Sequence, residues 1–308
     1  MSNPEDRRAT ASGVDALVLG CGYVGCELTR RLTDRGVTVA GVRRSRDGLD
    51  AVERAGGIGI RGDVTSPDSL AGLPEANWIV FAASAGRGGV AAARETYLRG
   101  IERTIAAFSD RQRPPDRLLY TSSTGVYGDH EGAWVDETTP IDPGSERAAV
   151  LRDAEKRVLA AESHGIDGTV IRFGGLYGPD RYRLDRYLEG PVTEGILNSI
   201  HRDDAAGVLE FLILEDLGRN EVVLAVDDEP TDRWAFADWL SAQCGRPTPT
   251  KLTKSQRLEH EELSAGARRR ILADKRCSNE YLRELGYEFE YPTVRDGYRP
   301  AIRQYRSN

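Results

Sequence analysis

Three glycines, Gly20, Gly22 and Gly25, lie in the stretch LVLGCGYVGCELTRRL, directly after an apolar run and at the start of an amphipathic one. Glycines spaced in this way between a strand and a helix can hold a phosphate. Gly20 permits the turn, Gly22 lets the backbone approach a pyrophosphate, and Gly25 lets helix and strand pack closely. The N–H groups that open the helix then meet the anion. A tight turn with no ligand is the alternative. The flanks favour a dinucleotide: ALVL reads as a strand, Val24, Leu28 and Leu32 share one helix face, and Gly36 closes the helix.

The type of dinucleotide is set at the end of the second strand. An NAD site places an acid roughly 20 residues beyond the first glycine, where it bonds the ribose hydroxyls. Here VTVAGVRRSRDG presents Arg43, Arg44 and Ser45, and the first acid is Asp47. Arginine pairs with a 2′-phosphate that a carboxylate would repel, so the expected cofactor is NADP rather than NAD. A solvated basic turn is the other reading. Asp63, in RGDVTSP, is placed to touch the adenine ring, and a helix-capping role for this stretch is the alternative.

These residues need elements to hold them. VTVAGV, GIGI, WIVFAAS, RLLYTSS and GTVIRF read as short strands, with helices between Gly22 and Gly36, near 90–109 and near 146–164. Strand and helix alternating in this way give an α/β, Rossmann-type, doubly wound parallel sheet. Beyond about residue 177 the rhythm loosens. The expected domains are therefore 14–176 for the nucleotide, joined by a returning strand near 221–226, and a smaller C-terminal substrate lobe over 177–308.

Of the 308 residues, 42 are Lys or Arg and 49 Asp or Glu, a net charge of −7 that argues against a general nucleic-acid binder. The polar start MSNPEDRRATASG resembles no export signal and no run suits a membrane span, so a cytoplasmic protein is expected. Cys21, Cys26, Cys244 and Cys277 form no CxxC pair and no cluster with histidine, so no metal site is expected.

GCGYVG, GDV, YTSSTGVYG, VIRFGGLYGP and IHRDDAA follow one another in the order seen in the extended short-chain dehydrogenase/reductases. The chain resembles that superfamily, the NAD-dependent epimerase/dehydratase-like proteins. Through STGVYGDHEGAWVDETTP, NSIHRDDAAGVLEFLI and CSNEYLRELGYEFEYP it is most similar to the YeeZ-like group. The resemblance extends the cofactor site to Tyr23 and Val24 in the first helical turn and to Ala82, Ala83 and Ser84 after the fourth strand.

Relatives of this kind use a Ser or Thr to orient the substrate hydroxyl, a Tyr to pass a proton, and a Lys to lower the Tyr pKa. Ser123 matches the first. Thr124 and Gly125 stand where a dehydratase-type Asp-Glu pair would follow, which disfavours water elimination. The YxxxK positions fall on Arg147 and Leu151, or in another register on Arg152 and Lys156, so the tyrosine is missing. An arginine cannot replace it as a proton donor. His130 and His201 are candidates for that role or structural histidines, and Tyr127 and Tyr177 read as packing residues.

Arg181, Arg183, Arg186, Asn198 and Arg202 can gather around a phosphate or carboxylate, or form a solvated helix surface. Arg181, Asn198 and His201 are the expected substrate ligands. Asp204 reads as a residue that caps or orients the following helix, and Trp78 and Trp134 as packing residues. The expected function is an oxidoreductase or epimerase that uses NADP on a small anionic carbonyl or sugar-like metabolite. A non-catalytic NADP-binding sensor is the alternative. The resemblance allows a homodimer through the helix near 146–164, whose apolar residues Val150, Leu151 and Val158 suit a partner and the sheet equally.

Overall fold

The computed structural model describes residues 13–86, 88–260 and 263–307. The N-terminal stretch read above for an export signal lies outside them, except Gly13. Seven strands form the central sheet: β1 (Val14–Leu19), β2 (Val39–Arg43), β3 (Ile58–Arg61), β4 (Ala76–Phe81), β5 (Arg117–Ser123), β6 (Asp167–Phe173) and β7 (Glu221–Ala225). Their order is β7-β6-β5-β4-β1-β2-β3. The pairs β1–β2, β1–β4, β2–β3 and β4–β5 are parallel. This is the doubly wound Rossmann-type sheet expected from the alternation, and the strand near 221–226 does return to it.

The chain order reverses between β1 and β4: from β1 the chain adds β2 and β3 on one side, then crosses back to place β4 on the other. Ligands of such sheets bind beyond the strand ends at that reversal. The strands are apolar on both faces because helices cover both. Ala16, Leu17, Val18 and Leu19 of β1 are all fully buried.

Residue contacts divide the chain into two compact units. One comprises Met1–Thr121, Asp153–Val170 and Gly218–Glu221; the other comprises Ser122–Arg152, Ile171–Leu217 and Val222–Asn308. In the first, helix α1 (Tyr23–Asp34) follows β1, α2 (Arg46–Arg54) follows β2, and the short α3 (Pro67–Ala71) follows β3. Ser45 and Ser66 cap α2 and α3, accepting from Gly48 N and Ser69 N. The helix expected near 90–109 includes a π-turn, Arg94–Arg99, ahead of α4 (Gly100–Ser109).

Helix α5 (Glu146–Leu159) ends in a 3₁₀ turn, Ala160–His164. Its Val150 and Val158 are buried within the single chain, while Lys156 is exposed. In the second unit, α6 (Arg202–Leu214), α7 (Arg233–Cys244) and α8 (Val294–Ser307) carry the helical mass. Tyr177, Tyr187, Phe236, Leu240, Val294 and Tyr298 build one apolar core. Val126, Tyr127, Val135, Leu224, Val226 and Cys277 build another. Both tyrosines read as packing residues, Tyr127 and Tyr177, lie in these cores. Trp78 is half-buried, but Trp134 is 61% exposed and does not pack as expected.

Candidate functional site

Every residue expected to touch the cofactor lies in the first unit, and the glycine loop has the shape its spacing implies. Gly20 takes φ +78°, and a Cβ there would fall 2.3 Å from the Ala83 Cα. The loops leaving β1 and β4 therefore touch at the chain reversal, where Ala82 N donates to Leu19 O at 2.9 Å. This places Ala82, Ala83 and Ser84 beside Gly20. A Cβ on Gly25 would meet Val18 Cγ1 at 3.0 Å, the close helix–strand approach expected of the third glycine.

Gly22 caps α1 without a side-chain bond, and the first turn, which starts with Tyr23 and Val24, has no acidic residue. The helix start thus offers backbone N–H donors and positive dipole to an anion, with no carboxylate opposing it. Arg43 reaches back over this loop. Its Nη1 donates to Cys21 O at 3.0 Å and lies 2.8 Å from the position of a Gly22 Cβ.

Arg44 extends from the end of β2 and is largely exposed, with Nη1 3.6 Å from Asp63 Oδ2. Asp63 also accepts from Thr65 N and Thr65 Oγ1, and these bonds with the Arg44 charge hold its carboxyl below the usual range despite the opposing burial. Ser66, in the same RGDVTSP stretch, caps α3, so the capping role read for this stretch is filled, by Ser66 rather than by Asp63. Ser45 spends its acceptor on capping α2 and keeps its hydroxyl proton to donate. Three glycines, two arginines and a serine thus lie near a helix N-terminus at the strand reversal, an arrangement that suits a dinucleotide.

A scan of protein families matches residues 16–222 to the NAD dependent epimerase/dehydratase family. The chain belongs to that family. Among its relatives, protein YeeZ of Escherichia coli K12 is 28% identical over 286 residues, 89% of this chain and 95% of YeeZ. A conserved protein of unknown function from Silicibacter pomeroyi is 26% identical with a TM-score of 0.75, covering 94% of this chain and 98% of that one. A dTDP-glucose 4,6-dehydratase from Streptomyces venezuelae, solved with NAD, shares the fold at 20% identity and a TM-score of 0.73, covering 96% and 97%. The epimerase/dehydratase fold of the chain follows directly from these matches.

The residues expected to serve catalysis and substrate lie in the second unit of this family member. Ser123 ends β5, half-buried, and its Oγ accepts from Gly125 N at 3.1 Å while its own proton remains available. Arg181, Arg183 and Arg186 are exposed, and Arg202 pairs with Asp203 at 2.7 Å. Asn198 has both ends of its amide engaged. Nδ2 donates to Lys275 O at 3.0 Å and Oδ1 accepts from Cys277 N at 2.7 Å, so the side chain acts as a strand edge for residues 275–277.

His201 is 1% exposed and serves as the N-cap of α6, its Nδ1 accepting from Asp203 N at 3.3 Å. That acceptor leaves the neutral-ring proton on Nε2, which donates to Tyr182 Oη at 3.4 Å. The Tyr291 and Tyr177 rings lie 3.9 and 5.2 Å away. The cap role expected of Asp204 thus belongs to His201. Asp204 instead accepts from Glu290 N and Tyr291 N at 2.7 and 2.9 Å. His130 Nε2 donates to Tyr127 O at 3.0 Å.

Two titratable groups here were not singled out from sequence. Lys275 is buried with Nζ donating to Gly128 O at 3.0 Å, and burial lowers its pKa. The run ADKRCS gives no local sign of this, because burial comes from a segment 147 residues away in sequence. Asp227 is 2% exposed, and among the described residues neither carboxyl oxygen has a hydrogen-bond partner in good geometry. Burial pushes its pKa well above the ordinary range, and nearby Asp228, Glu229 and Asp204 push the same way.

A carboxyl raised in this way costs stability as the pH climbs from its unfolded value through its folded one. Asp227→Asn, which stays neutral, is therefore expected to match the parent near pH 4 and to melt at least ~3 °C higher at pH 8. Thermal unfolding of both proteins at the two pH values checks this.

Proposed function

We propose that the protein binds NADP and uses it as an oxidoreductase or epimerase on a small, anionic carbonyl or sugar-like metabolite. The Arg43 guanidinium lying over the glycine loop, with Arg44 and Ser45 beside it where an NAD site carries an acid, supports NADP most directly. Arg43 faces the anion from the loop side. Arg44, which follows β2 and is held toward Asp63, faces it from the side of the loop after β3. A bound nicotinamide supplies or accepts hydride.

In this reading Ser123 orients a substrate hydroxyl through its spare proton, and the exposed Arg181 offers a fork for a substrate anion. Helix α5 contains no tyrosine, so the proton moves through a group other than the superfamily's usual one. That same absence supports the second reading, an NADP-binding sensor with no turnover. NADPH oxidation with a panel of anionic aldehydes, ketones and keto sugars, together with conversion of sugar-like substrates to their epimers, in which the hydride is returned and no net NADPH is consumed, separates the two readings. A sensor binds NADPH and NADP with different affinities and neither reduces nor epimerises any of these compounds.

Arg43→Asp is expected to collapse the preference for NADPH over NADH by at least about tenfold, since it replaces an attractive charge at a 2′-phosphate with a repulsive one. Fluorescence titration with both nucleotides checks it. Because Arg43 also holds Cys21 O, some loss for NADH is expected too, and the ratio of the two affinities is the informative quantity. An unchanged ratio removes Arg43 from the phosphate site.

A further inference from the structure

The glycine loop carries a feature that dinucleotide binding does not use. Cys21 lies between Gly20 and Gly22, and Cys26 lies in α1, with their sulfurs 3.9 Å apart. Cys26 Sγ also donates to Cys21 O at 3.4 Å, the same oxygen that receives Arg43 Nη1. Cys21 is buried and Cys26 is half-buried, so an oxidant reaches Cys26 first. Neither is in a disulfide.

We propose that Cys21 and Cys26 form a hydroperoxide-sensitive dithiol that closes to a disulfide across the glycine loop and weakens dinucleotide binding. The effect on binding rests on the dinucleotide reading above; the thiol chemistry does not.

The sulfurs must close from 3.9 Å to about 2 Å. Cys26 releases its thiol proton and its sulfur attacks one peroxide oxygen; the O–O bond breaks, leaving Cys26 as a sulfenic acid, and the departing hydroxide takes up that proton and leaves as one water. Cys21 sulfur then attacks the Cys26 sulfur. The S–S bond forms, the S–O bond breaks, and the hydroxyl leaves with the Cys21 proton as a second water. Two thiols lose two electrons and two protons, and hydrogen peroxide is reduced to two waters.

Closure acts on the loop through Cys21. Its N–H donates to Val42 O at 3.2 Å and its carbonyl anchors Arg43, so drawing Cys21 toward α1 disturbs both bonds and reorients the peptide between Gly20 and Gly22. In the dinucleotide reading that peptide is the one a pyrophosphate approaches. The cavity for such movement is narrow, since a Cβ on Gly25 would lie 3.5 Å from Cys21 Sγ and one on Gly41 3.0 Å from Cys21 Cβ.

The test treats the full-length protein with hydrogen peroxide, blocks remaining thiols by alkylation, and digests it with trypsin. Residues 9–30 form one tryptic peptide that holds both cysteines. It is expected to be lighter by two hydrogens and to take up no alkyl group until dithiothreitol is added. Cys26→Ser shows no such product. The Kd for NADPH is expected to rise at least about tenfold on oxidation and to return on reduction, with no change in peroxide-treated Cys26→Ser.

Alkylation of both cysteines after peroxide, or a sulfinic acid at Cys26 as the product, overturns the dithiol. A disulfide that leaves the Kd unchanged overturns its effect on binding. A disulfide in a protein whose reduced form binds neither NADPH nor NADH supports the dithiol and overturns the dinucleotide reading instead.

Discussion

Gly20→Ala is expected to abolish NADPH binding and to cost the fold about 3 kcal/mol or more, the sum of an overpacked contact and a left-handed backbone position. The added methyl would stand 2.3 Å from the Ala83 Cα and 2.5 Å from its nitrogen, both backbone atoms that cannot rotate aside. The loops after β1 and β4 would have to part, and that is the point where the strand order reverses. Gly36→Ala provides the control. Gly36 has nearly the same φ, +82°, but nothing within 4 Å of its Cβ position. It should lose only about 1 kcal/mol and bind NADPH as the parent does. Urea unfolding and nucleotide titration of the two variants separate backbone strain from the close approach. Normal NADPH binding by Gly20→Ala would mean that the pyrophosphate does not lie on this loop.

The contrast between these two glycines also shows what was legible in the sequence. The roles of Gly20, Gly22 and Gly25 are set by a strand before them and a helix after them, all within about one βα unit, and local spacing reports local geometry. The same holds for Arg43, Arg44 and Ser45, which follow directly from where β2 ends. Asn198 and His201 are different. Their residue types suit a substrate, but they are used on segments distant in sequence: Asn198 bonds residues 275 and 277, and His201 packs at a tilt against Tyr291. No spacing near Asn198 foretells a partner 77 residues on.

Trp134 gives the same lesson in reverse. An aromatic side chain suggests burial, yet Trp134 sits in a two-residue strand paired in parallel with Arg276–Cys277, and the next residue, Val135, takes the inward position. Alternation along a strand sends neighbours to opposite faces, so burying Val135 exposes Trp134. The burial of Lys275 follows from the same association of segments, since it precedes the strand that pairs there.

Asp204→Ala is expected to destabilise the protein by about 3 kcal/mol at pH 8, because it leaves Glu290 N–H and Tyr291 N–H without an acceptor in a buried site. Asp204 is fully buried at the start of α6, and it fastens the segment 287–291 to that helix. Tyr287 packs so closely there that a Cβ on Gly207 would lie 2.4 Å from its hydroxyl. The pH dependence then distinguishes two states of the carboxyl. Burial raises its pKa to about 6, against the downward pull of the Glu290 and Tyr291 N–H groups and the Tyr287 hydroxyl. A carboxyl with a folded value above its unfolded one stabilises most below the unfolded value, and that contribution falls as the pH rises through the folded value. The deficit of the variant should therefore widen, by roughly 2 kcal/mol, as the pH falls from about 7 to about 4. Titrations elsewhere cancel when variant and parent are unfolded side by side in urea at each pH. A deficit that narrows in acid would mean that the two N–H donors outweigh burial and hold Asp204 ionised, leaving the 287–291 segment bound to α6 through a charge.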